Sequence, residues 1–447
     1  MPLPERPPRG RLARCLLAQE LRSLLVSPAL WLMLGIVSIL VGYSFLQAMA
    51  LYSQASRTAL SFPELARGMN PLDGIFVPTF GAYYLSESLL LPFVAIRLIG
   101  LDKESGALKL LLQLPLSPLA LCGIKISAMG LLWLLTLLPA ALVLLFWHNL
   151  GGHIFLPETA MLFAGHGLFS LTVVAIGMFA AAITDSLPTA AMLSLAVTLG
   201  SWVLDFAAGS QGGIMALLGR ISLTGMLRQF ETGLLSFSHV AAFLCMALFF
   251  FLLTALWLHP GRGPASKAGL SLLLLVVLAI LLAGAMQSHR ALDLTENRRH
   301  SLNPADSRAL RHLQDTLTIT IHLNPEDSRL QDLEHGILAK LRRTVPRLVV
   351  RYARTESNGL FAASGDKKYG LIEYDYNGRH DASYSNSAQE ILPIIYRLAG
   401  IRVVQEPVPL YRGYPLVADA SAYRWWFYLV IPLFCLALGI YGRQGRW

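Results

Sequence analysis

Long blocks of apolar residues alternate with short polar stretches along most of this chain. A helix needs roughly 20 mostly apolar residues to cross about 30 Å of hydrocarbon. Eight segments reach or approach that length, and each is predicted to span a membrane. They are Ala29–Ala50, Thr79–Gly100, Ile124–Trp147, Thr159–Ile183, Pro188–Ala208, His239–Leu258, Gly269–Gln287 and Trp425–Tyr441.

Between Ser288 and Arg424 the pattern changes to that of water-soluble structure. LTITIHL, at Leu317–Leu323, alternates apolar and polar residues and predicts a strand. RLQDLEHGILAKLRR follows it and predicts a helix. The apolar face of that helix is formed by Leu330, Leu333, Ile337, Leu338 and Leu341. RLVVRYA then predicts a second strand, so the three elements form a β-α-β unit.

The same stretch contains further predicted elements. YGLIEYDY, at Tyr369–Tyr376, predicts a third strand, and SAQEILPIIYRLAG predicts a helix that ends near Gly400. Upstream, Asn303 has the place of a helix N-cap and Pro304 the first helical position. We therefore expect an inserted α/β domain. From Val403 to Ala422 the chain is expected to return to the membrane as an extended arm.

The composition agrees with a membrane protein, because 55% of the residues are hydrophobic and 14% are charged, against about a quarter charged in soluble domains. The formal charge of +9 could indicate nucleic-acid binding, but no Lys/Arg cluster is long enough or interleaved with aromatic residues. No nucleic acid is therefore expected as a partner. The four cysteines contain no CxxC motif, and no disulfide framework is expected. They are Cys15, Cys122, Cys245 and Cys435.

The orientation follows from basic residues in the short loops, which stay on the cytoplasmic side. These residues are Arg6, Arg9, Arg11, Arg14 and Arg22 before the first span, Arg262 and Lys267 between spans six and seven, and Arg443 and Arg446 after the eighth. Eight crossings place all of them on one side. Both termini are therefore expected in the cytoplasm. The chain is expected in the inner membrane of the cell, with the inserted domain on the extracytoplasmic side. The first span has no cleavage site after it and is expected to stay uncleaved.

Motifs for chemistry are missing from the sequence. A nucleotide-hydrolysing domain needs the phosphate-binding loop GxxxxGK[ST], and the nearest string, ASGDKK at Ala363–Lys368, lacks its glycine spacing and its Ser/Thr. HExxH and G-x-S-x-G are also missing, and the histidines follow no metal-ligand pattern. We expect no enzyme activity, no metal and no cofactor in this chain. If transport is driven by ATP, a partner subunit must bind the ATP and Mg²⁺.

The loop after the second span is the most informative short stretch. It reads GLDKESGALKLLLQLPLSPLALCGIKI, Gly100–Ile126, and LKLLLQL within it predicts a short apolar helix ended by Pro115 and Pro118. Such a helix at the membrane face could act as a lever for a cytoplasmic protein. A plain interfacial turn fits the spacing equally well.

This loop resembles that of ABC-2-type ABC transporter permeases, in which a Leu-rich coupling helix follows an acidic residue and a glycine. The matching residues are Glu104, Gly106, Leu110–Leu112, Pro115, Ser117 and Lys125. LARCLLAQELRSLLVSP is similar to the interfacial elbow helix of that family. The resemblance covers Arg11–Leu258 and implies a six-span permease core that dimerises and binds a separate ATPase. It assigns coupling to Glu104, Gly106, Lys109, Leu111, Pro115 and Ser117.

A second resemblance begins after the seventh span. DLTENRRHSLNPADSRALRHLQDTLTITIHL resembles the start of the auxiliary extracytoplasmic domain of gliding-motility-type ABC components. The matching residues are Leu294, Thr295, Glu296, Ser301, Leu302, Asn303 and Pro304. The family's domain continues well beyond the second helix, whereas this chain returns to the membrane by Trp425. A permease fused to a shortened auxiliary domain is implied, with a possible envelope or periplasmic partner.

Ionisable residues inside spans are costly and often functional. Glu87, Arg97, His166 and Asp205 fall in or near the predicted spans. Glu87 is the deepest, and we predict it as a candidate residue of the transport path. The alternative is that such residues pair between helices or lie at the interface.

These observations predict an α-helical polytopic membrane protein with an inserted α/β extracytoplasmic domain. Its parts are residues 1–28 with the elbow helix, 29–258 with six spans and a coupling helix near 102–121, 259–287 with span seven, 288–424 with the inserted domain, and 425–447 with span eight and a basic tail. The function expected first is that of the permease subunit of an ATP-driven exporter. One alternative is mechanotransmission to an envelope or gliding-type machine without substrate transport, and another is a passive membrane scaffold.

Overall fold

The computed structural model describes residues 9–62, 66, 69–210, 219, 221–288, 290–324, 327–353, 368–403 and 415–444. Within these residues, eight helices are long and apolar enough to cross a membrane, which confirms the predicted number. We number them spans 1 to 8. They are Pro28–Ser61, Leu72–Glu104, Pro118–Asn149, Leu156–Ile183, Leu187–Ala207, Phe237–Trp257, Pro264–Met286 and Ser421–Gly442. The chain is thus a polytopic helical protein.

Prolines explain why three of the spans are made of more than one helical piece, since a proline has no N–H for the helical ladder. Span 2 consists of a π-helical turn at Leu72–Phe76 and α-helices at Val77–Ala95 and Arg97–Glu104. Span 3 consists of α-helices at Pro118–Thr136 and Leu138–Asn149. Span 8 has a 3-10 turn at Ser421–Tyr423, a π-helical turn at Trp426–Val430 and an α-helix at Ile431–Arg443. The breaks lie beside Pro78, Pro92, Pro139 and Pro432.

In the part of the chain that the structure describes, three shorter helices and one short strand accompany the spans. Helix α1 is Arg9–Val26, and it ends one residue before Pro28 opens span 1. Helix α2 is Ala107–Leu111, in the loop between spans 2 and 3. Helix α3 is Leu223–Glu231, and strand β1 at Leu234–Ser236 leads into span 6.

The chain divides into two compact units, of which the first is Met1–Val203, Leu223–Ser288 and Leu410–Trp447. Close approach of helices in this unit depends on glycine: a Cβ added to Gly42 of span 1 would lie 2.2 Å from Cβ of Phe427 in span 8. Ser38 Oγ donates a hydrogen bond of 3.0 Å to the carbonyl oxygen of Phe427 beside this contact. Span 4 is the most buried span and span 7 the most exposed, with 67% and 6% of their most apolar windows buried.

The second unit is Leu204–Ser222 and His289–Pro409, and its described residues contain a four-stranded sheet. After strand β2 (Ala291–Asp293), the sheet strands are β3 Leu317–Ile321, β4 Leu348–Tyr352, β5 Ile372–Tyr376 and β6 Arg379–Ser383. β3 pairs parallel with β4 and antiparallel with β5, and β5 pairs antiparallel with β6.

Helices cover this sheet. They are α4 at Pro304–Arg311, α5 at Ser328–Leu333 continued by a π-helical turn at Glu334–Leu338 and Ala339–Thr344, and α6 at Ala388–Ala399. Alternate residues of β3 and β5 point into one apolar core with the buried faces of these helices. The core includes Leu317, Ile319, Ile321, Ile372, Leu341, Ile391 and Ile395.

Most element predictions for this unit agree with the structure. The strand and helix predicted from Leu317 to Arg343 coincide with β3 and α5, and Asn303 caps α4, with its side chain accepting from the N–H of Ala305. Strand β6 was not predicted, because its polar sequence RHDAS gives no apolar alternation. Several predicted features lie wholly or partly outside the described residues. They are Arg6, Arg446, most of Ala363–Lys368 and most of the arm from Val403 to Ala422.

Candidate functional site

The loop between spans 2 and 3 contains helix α2, at the place of the predicted lever. Gly106 precedes it with a φ of +75°, a left-handed conformation that glycine adopts without steric cost. The predicted helix LKLLLQL is too long, because the α-helix ends at Leu111 and single turns follow, with Gln113 N–H donating to the carbonyl of Leu110. The shortening follows from Pro115, since a residue before a proline avoids the α-helical region and the last turn cannot continue.

The residues predicted to couple to an ATPase divide into exposed and structural ones. Leu108 is buried and anchors α2, whereas Leu110 is 68% exposed. Glu104, Lys109 and Pro115 are also exposed, and Leu111 is half-buried.

Ser117 has a structural role in this loop. It is the N-cap of span 3, where its Oγ accepts a hydrogen bond of 3.2 Å from the N–H of Ala120. Gly106 and Ser117 therefore fix the two ends of the loop, and its exposed polar and apolar side chains lie between them.

A buried ionic cluster lies directly beside this loop. Lys125 Nζ is 2.5 Å from Glu20 Oε1 and 2.6 Å from Asp102 Oδ2, and the lysine side chain is fully buried. The apolar pattern predicts that span 3 begins at Ile124 and that Lys125 lies at its opening, but the span begins at Pro118 and Lys125 is two turns inside it. The cluster joins helix α1, the last turn of span 2 and span 3.

The energetics of the cluster follow from its burial. An ammonium fully removed from water is stable only beside opposite charge, and here two carboxylates face one cation. Burial raises the pKa of Glu20, and the charge of Lys125 opposes that effect only in part. The three side chains are therefore mutually dependent, and the set carries one net negative charge when all are ionised.

The last turn of span 2 is also bound to span 4. Lys103 Nζ donates to the carbonyl oxygens of Ala181, Ala182 and Thr184 at 3.3, 3.1 and 2.5 Å. A cation at the C-terminus of a helix is favoured by the helix dipole. Asp185 completes the contact at 3.5 Å from the ammonium. The residues next to α2 thus hold α1, span 3 and span 4 together.

Glu87, the predicted transport-path residue, lies in a second buried polar cluster and is 1% exposed. Its carboxylate accepts from Trp133 Nε1 at 2.8 Å, lies 3.0 Å from His166 Nδ1, and accepts from the hydroxyl of Ser170. These partners belong to spans 3 and 4, so Glu87 links span 2 to both.

His166 extends this cluster to helix α3. Its Nε2 lies 3.4 Å from Glu231 Oε1, within the range of an ion pair but without the geometry of a hydrogen bond. The ring of Tyr83 is 5.2 Å from the imidazole, and Tyr83 Oη is 2.7 Å from Thr136 Oγ1. Glu87 thus pairs between helices, and its role in a transport path stays a prediction.

The other two ionisable residues singled out in the spans lie elsewhere. Arg97 begins the last helical piece of span 2 and is half-buried, and Asp205 is half-buried near the end of span 5. Among the described residues, no group of three or more histidines, cysteines, aspartates or glutamates is arranged to hold a metal ion.

Sequence reasoning missed several members of both clusters. The sequence pattern assigned no role to Glu20, Asp102 or Lys103. Trp133, Ser170 and Glu231 carried no signal of their own. Lys125 did carry one, because a lysine within the apolar run LALCGIKISAMGLLW requires a buried counter-charge.

No protein-family model, no curated protein and no solved structure matches the chain. The family resemblance therefore stays a prediction, and function must be argued from the residues described above.

Proposed function

We propose that this chain is the membrane permease subunit of an ATP-driven transporter of the ABC-2 exporter type. A separate ATPase subunit would bind the exposed surface of α2, supply the ATP and Mg²⁺ sites, and drive two copies of the permease as a dimer. In this proposal the chain lies in the inner membrane with both termini in the cytoplasm. The α/β domain between spans 7 and 8 is extracytoplasmic and receives substrate or binds an envelope partner.

The observation that carries the proposal is the Glu20–Lys125–Asp102 cluster next to α2. A force on a loop moves other elements only if the loop is rigidly joined to them. Coupling also requires two arrangements of the protein in which the contacts differ. Here Asp102 and Lys103 hold α1, span 3 and span 4 within one turn of the loop. A push on Lys109 and Leu110 would therefore be passed to several spans together.

The exposed side chains of α2 suit a protein partner. Leu110 presents an apolar contact and is flanked by the charged, exposed Lys109 and Glu104. An apolar anchor surrounded by charged residues is the usual composition of an interface centre and its rim.

Mechanotransmission is the second candidate, and the core of the second unit favours it. Its sheet and helices share an apolar core of their own, so the insert is folded structure that can bear force. ATP-driven bending of the spans would then act on an envelope partner without moving a substrate.

Photocrosslinking tests the proposal in cells that make the chain with its native partners. A photoreactive residue at Leu110 should form an adduct that is itself labelled by azido-ATP. The same residue at Leu131, an exposed apolar position of span 3, is the matched control and should give no such adduct. An adduct without ATP labelling, or equal labelling at both positions, would remove the ATPase from the proposal. Uptake into vesicles containing the complex would then separate export from mechanotransmission.

A further inference from the structure

A cleft of about 580 Å³ opens between helix α1, the start of span 1 and the last turns of span 2. This volume is in the range of about 300–1,000 Å³ that small-molecule sites occupy. The cleft lies where α1 meets the first residues of a membrane span, and therefore at the depth of the lipid headgroups. Its wall combines apolar residues such as Leu98 with ionisable groups of both signs.

Part of the cleft lining is suited to an anion. Ser27, the N-cap of span 1, lines the cleft and is 8% exposed, yet its hydroxyl has no hydrogen-bond partner within the described residues. The hydroxyl also does not cap the helix, so the first N–H groups of span 1, after Pro28, receive no bond from it. A helix N-terminus carries partial positive charge and binds phosphate groups.

Arg97 adds a full positive charge to the lining of the cleft. It lines the same cleft and is half-buried, and no described residue makes a hydrogen bond or an ion pair with it. A guanidinium presents donors in a planar fork that matches the oxygens of a phosphate. The lining of the cleft thus offers an anion three kinds of donor, from Ser27, Arg97 and the N-terminus of span 1.

Glu20 and Asp102 add groups to the lining of the cleft that can bind a cation. Each uses one oxygen for Lys125, and in the described part of the chain the second oxygens, Glu20 Oε2 and Asp102 Oδ1, accept no hydrogen bond. A carboxylate oxygen can accept two hydrogen bonds, and the pair carries more negative charge than Lys125 neutralises. A second ammonium in the cleft would donate to these oxygens and neutralise the remaining negative charge.

We propose that the cleft binds a headgroup carrying both a phosphate and a primary amine, as an ethanolamine phospholipid does. The phosphate lies toward Ser27, Arg97 and the N-terminus of span 1. The ammonium lies toward the free oxygens of Glu20 and Asp102. This site is independent of the proposed transport function, since it requires only that the cleft be at the membrane surface.

The chemistry predicts a selectivity that distinguishes three common headgroups. Phosphocholine has the same charges but no N–H donor for the carboxylates, and phosphoglycerol has no cation. Both should bind less well than phosphoethanolamine. Free glycerophosphoethanolamine has the recognised groups without acyl chains, and so distinguishes a soluble ligand from a lipid.

The test measures binding of short-chain phosphatidylethanolamine, phosphatidylcholine and phosphatidylglycerol to the purified full-length protein in detergent. The ethanolamine lipid should bind at least about tenfold more tightly than the other two, the magnitude of a charge-assisted hydrogen bond. Arg97→Gln should weaken its binding by about tenfold or more, and Ser27→Ala by several-fold. Arg57→Gln, an exposed arginine near the other end of span 1, is the matched control and should leave binding unchanged.

Neither test side chain has a partner in the described structure, so Arg97→Gln and Ser27→Ala should unfold at the wild-type temperature without lipid. Weaker binding of glycerophosphoethanolamine than of the lipid assigns the site to a phospholipid, and equal binding assigns it to a soluble ligand of the same chemistry. Equal binding of the three lipids, or identical behaviour of Arg97→Gln and Arg57→Gln, would overturn the proposal.

Discussion

Replacing Lys125 by methionine tests whether the ionic cluster holds α1, span 2 and span 3 together. Methionine keeps the length of the side chain but removes the charge, which leaves the carboxylates of Glu20 and Asp102 without their cation. Removing one partner of a buried ion pair costs about 3–5 kcal/mol, because the remaining charge stays desolvated. The two carboxylate side chains are 16% and 24% exposed, so water relieves part of this cost. We expect a loss near the lower limit, about 3 kcal/mol at neutral pH.

The assay is reversible unfolding of the purified protein in mixed micelles of mild detergent and dodecyl sulfate. Lys109→Met makes the same substitution on the exposed face of α2 and should change the free energy of unfolding by less than about 0.5 kcal/mol. The double variant Lys125→Met/Glu20→Gln removes one of the unpaired charges and should recover part of the loss. If Lys125→Met is as stable as Lys109→Met, or if Glu20→Gln recovers nothing, the cluster does not hold these elements.

Three further predictions follow from the described contacts. Gly42→Leu should destabilise the contact of spans 1 and 8 by about 1–3 kcal/mol through overpacking against Phe427. Phe427→Gly in the same chain removes the Cβ that the new side chain meets, and should relieve part of this loss in the unfolding assay. An unchanged midpoint for Gly42→Leu would contradict the close approach. Glu87→Gln should lower the free energy of unfolding by about 1–3 kcal/mol, because Trp133, His166 and Ser170 lose a charged acceptor. The fluorescence emission of Trp133 should shift as well. Unchanged stability and emission would show that these bonds are not formed. Burial raises the pKa of Glu20 above 4.5 in the folded state. The contribution of Glu20 to stability is therefore present below pH 4.5 and is lost as the pH rises through the higher folded-state pKa. Glu20→Gln should flatten that part of the stability profile, and a slope equal to that of the wild type would contradict this reasoning.

Hydropathy alone predicted the eight spans, because the cost of exposing polar backbone to lipid leaves a clear one-dimensional signal. It did not predict where the spans break, although the prolines responsible, such as Pro78 and Pro432, are visible in the sequence. The π-helical turns that precede these prolines depend on how the neighbouring helices pack against them. The prediction for helix α2 runs three residues too far, to Leu114, because its end is set by a turn and not by apolarity.

The clusters could be predicted only in part. Lys125 and Glu87 were recognisable because charge inside an apolar run demands a partner. Their partners were not, because Lys125 meets Glu20 across 105 positions and Glu87 meets Ser170 across 83. No periodicity links residues so far apart, and only helix packing brings them together. The sequence likewise does not indicate that Ser27 and Arg97 line one cleft, or that Ser27 Oγ has no hydrogen-bond partner among the described residues.

The central claim is that α2 faces the cytoplasm, where an ATPase can reach it, while the domain between spans 7 and 8 faces the other side. Single cysteines at Leu110 and at Val349, both exposed, test it directly in a background without the four native cysteines. In intact cells, a thiol reagent that does not cross the membrane should label Val349→Cys and leave Leu110→Cys unlabelled until the membrane is opened. Labelling of both positions from the same side would contradict the account.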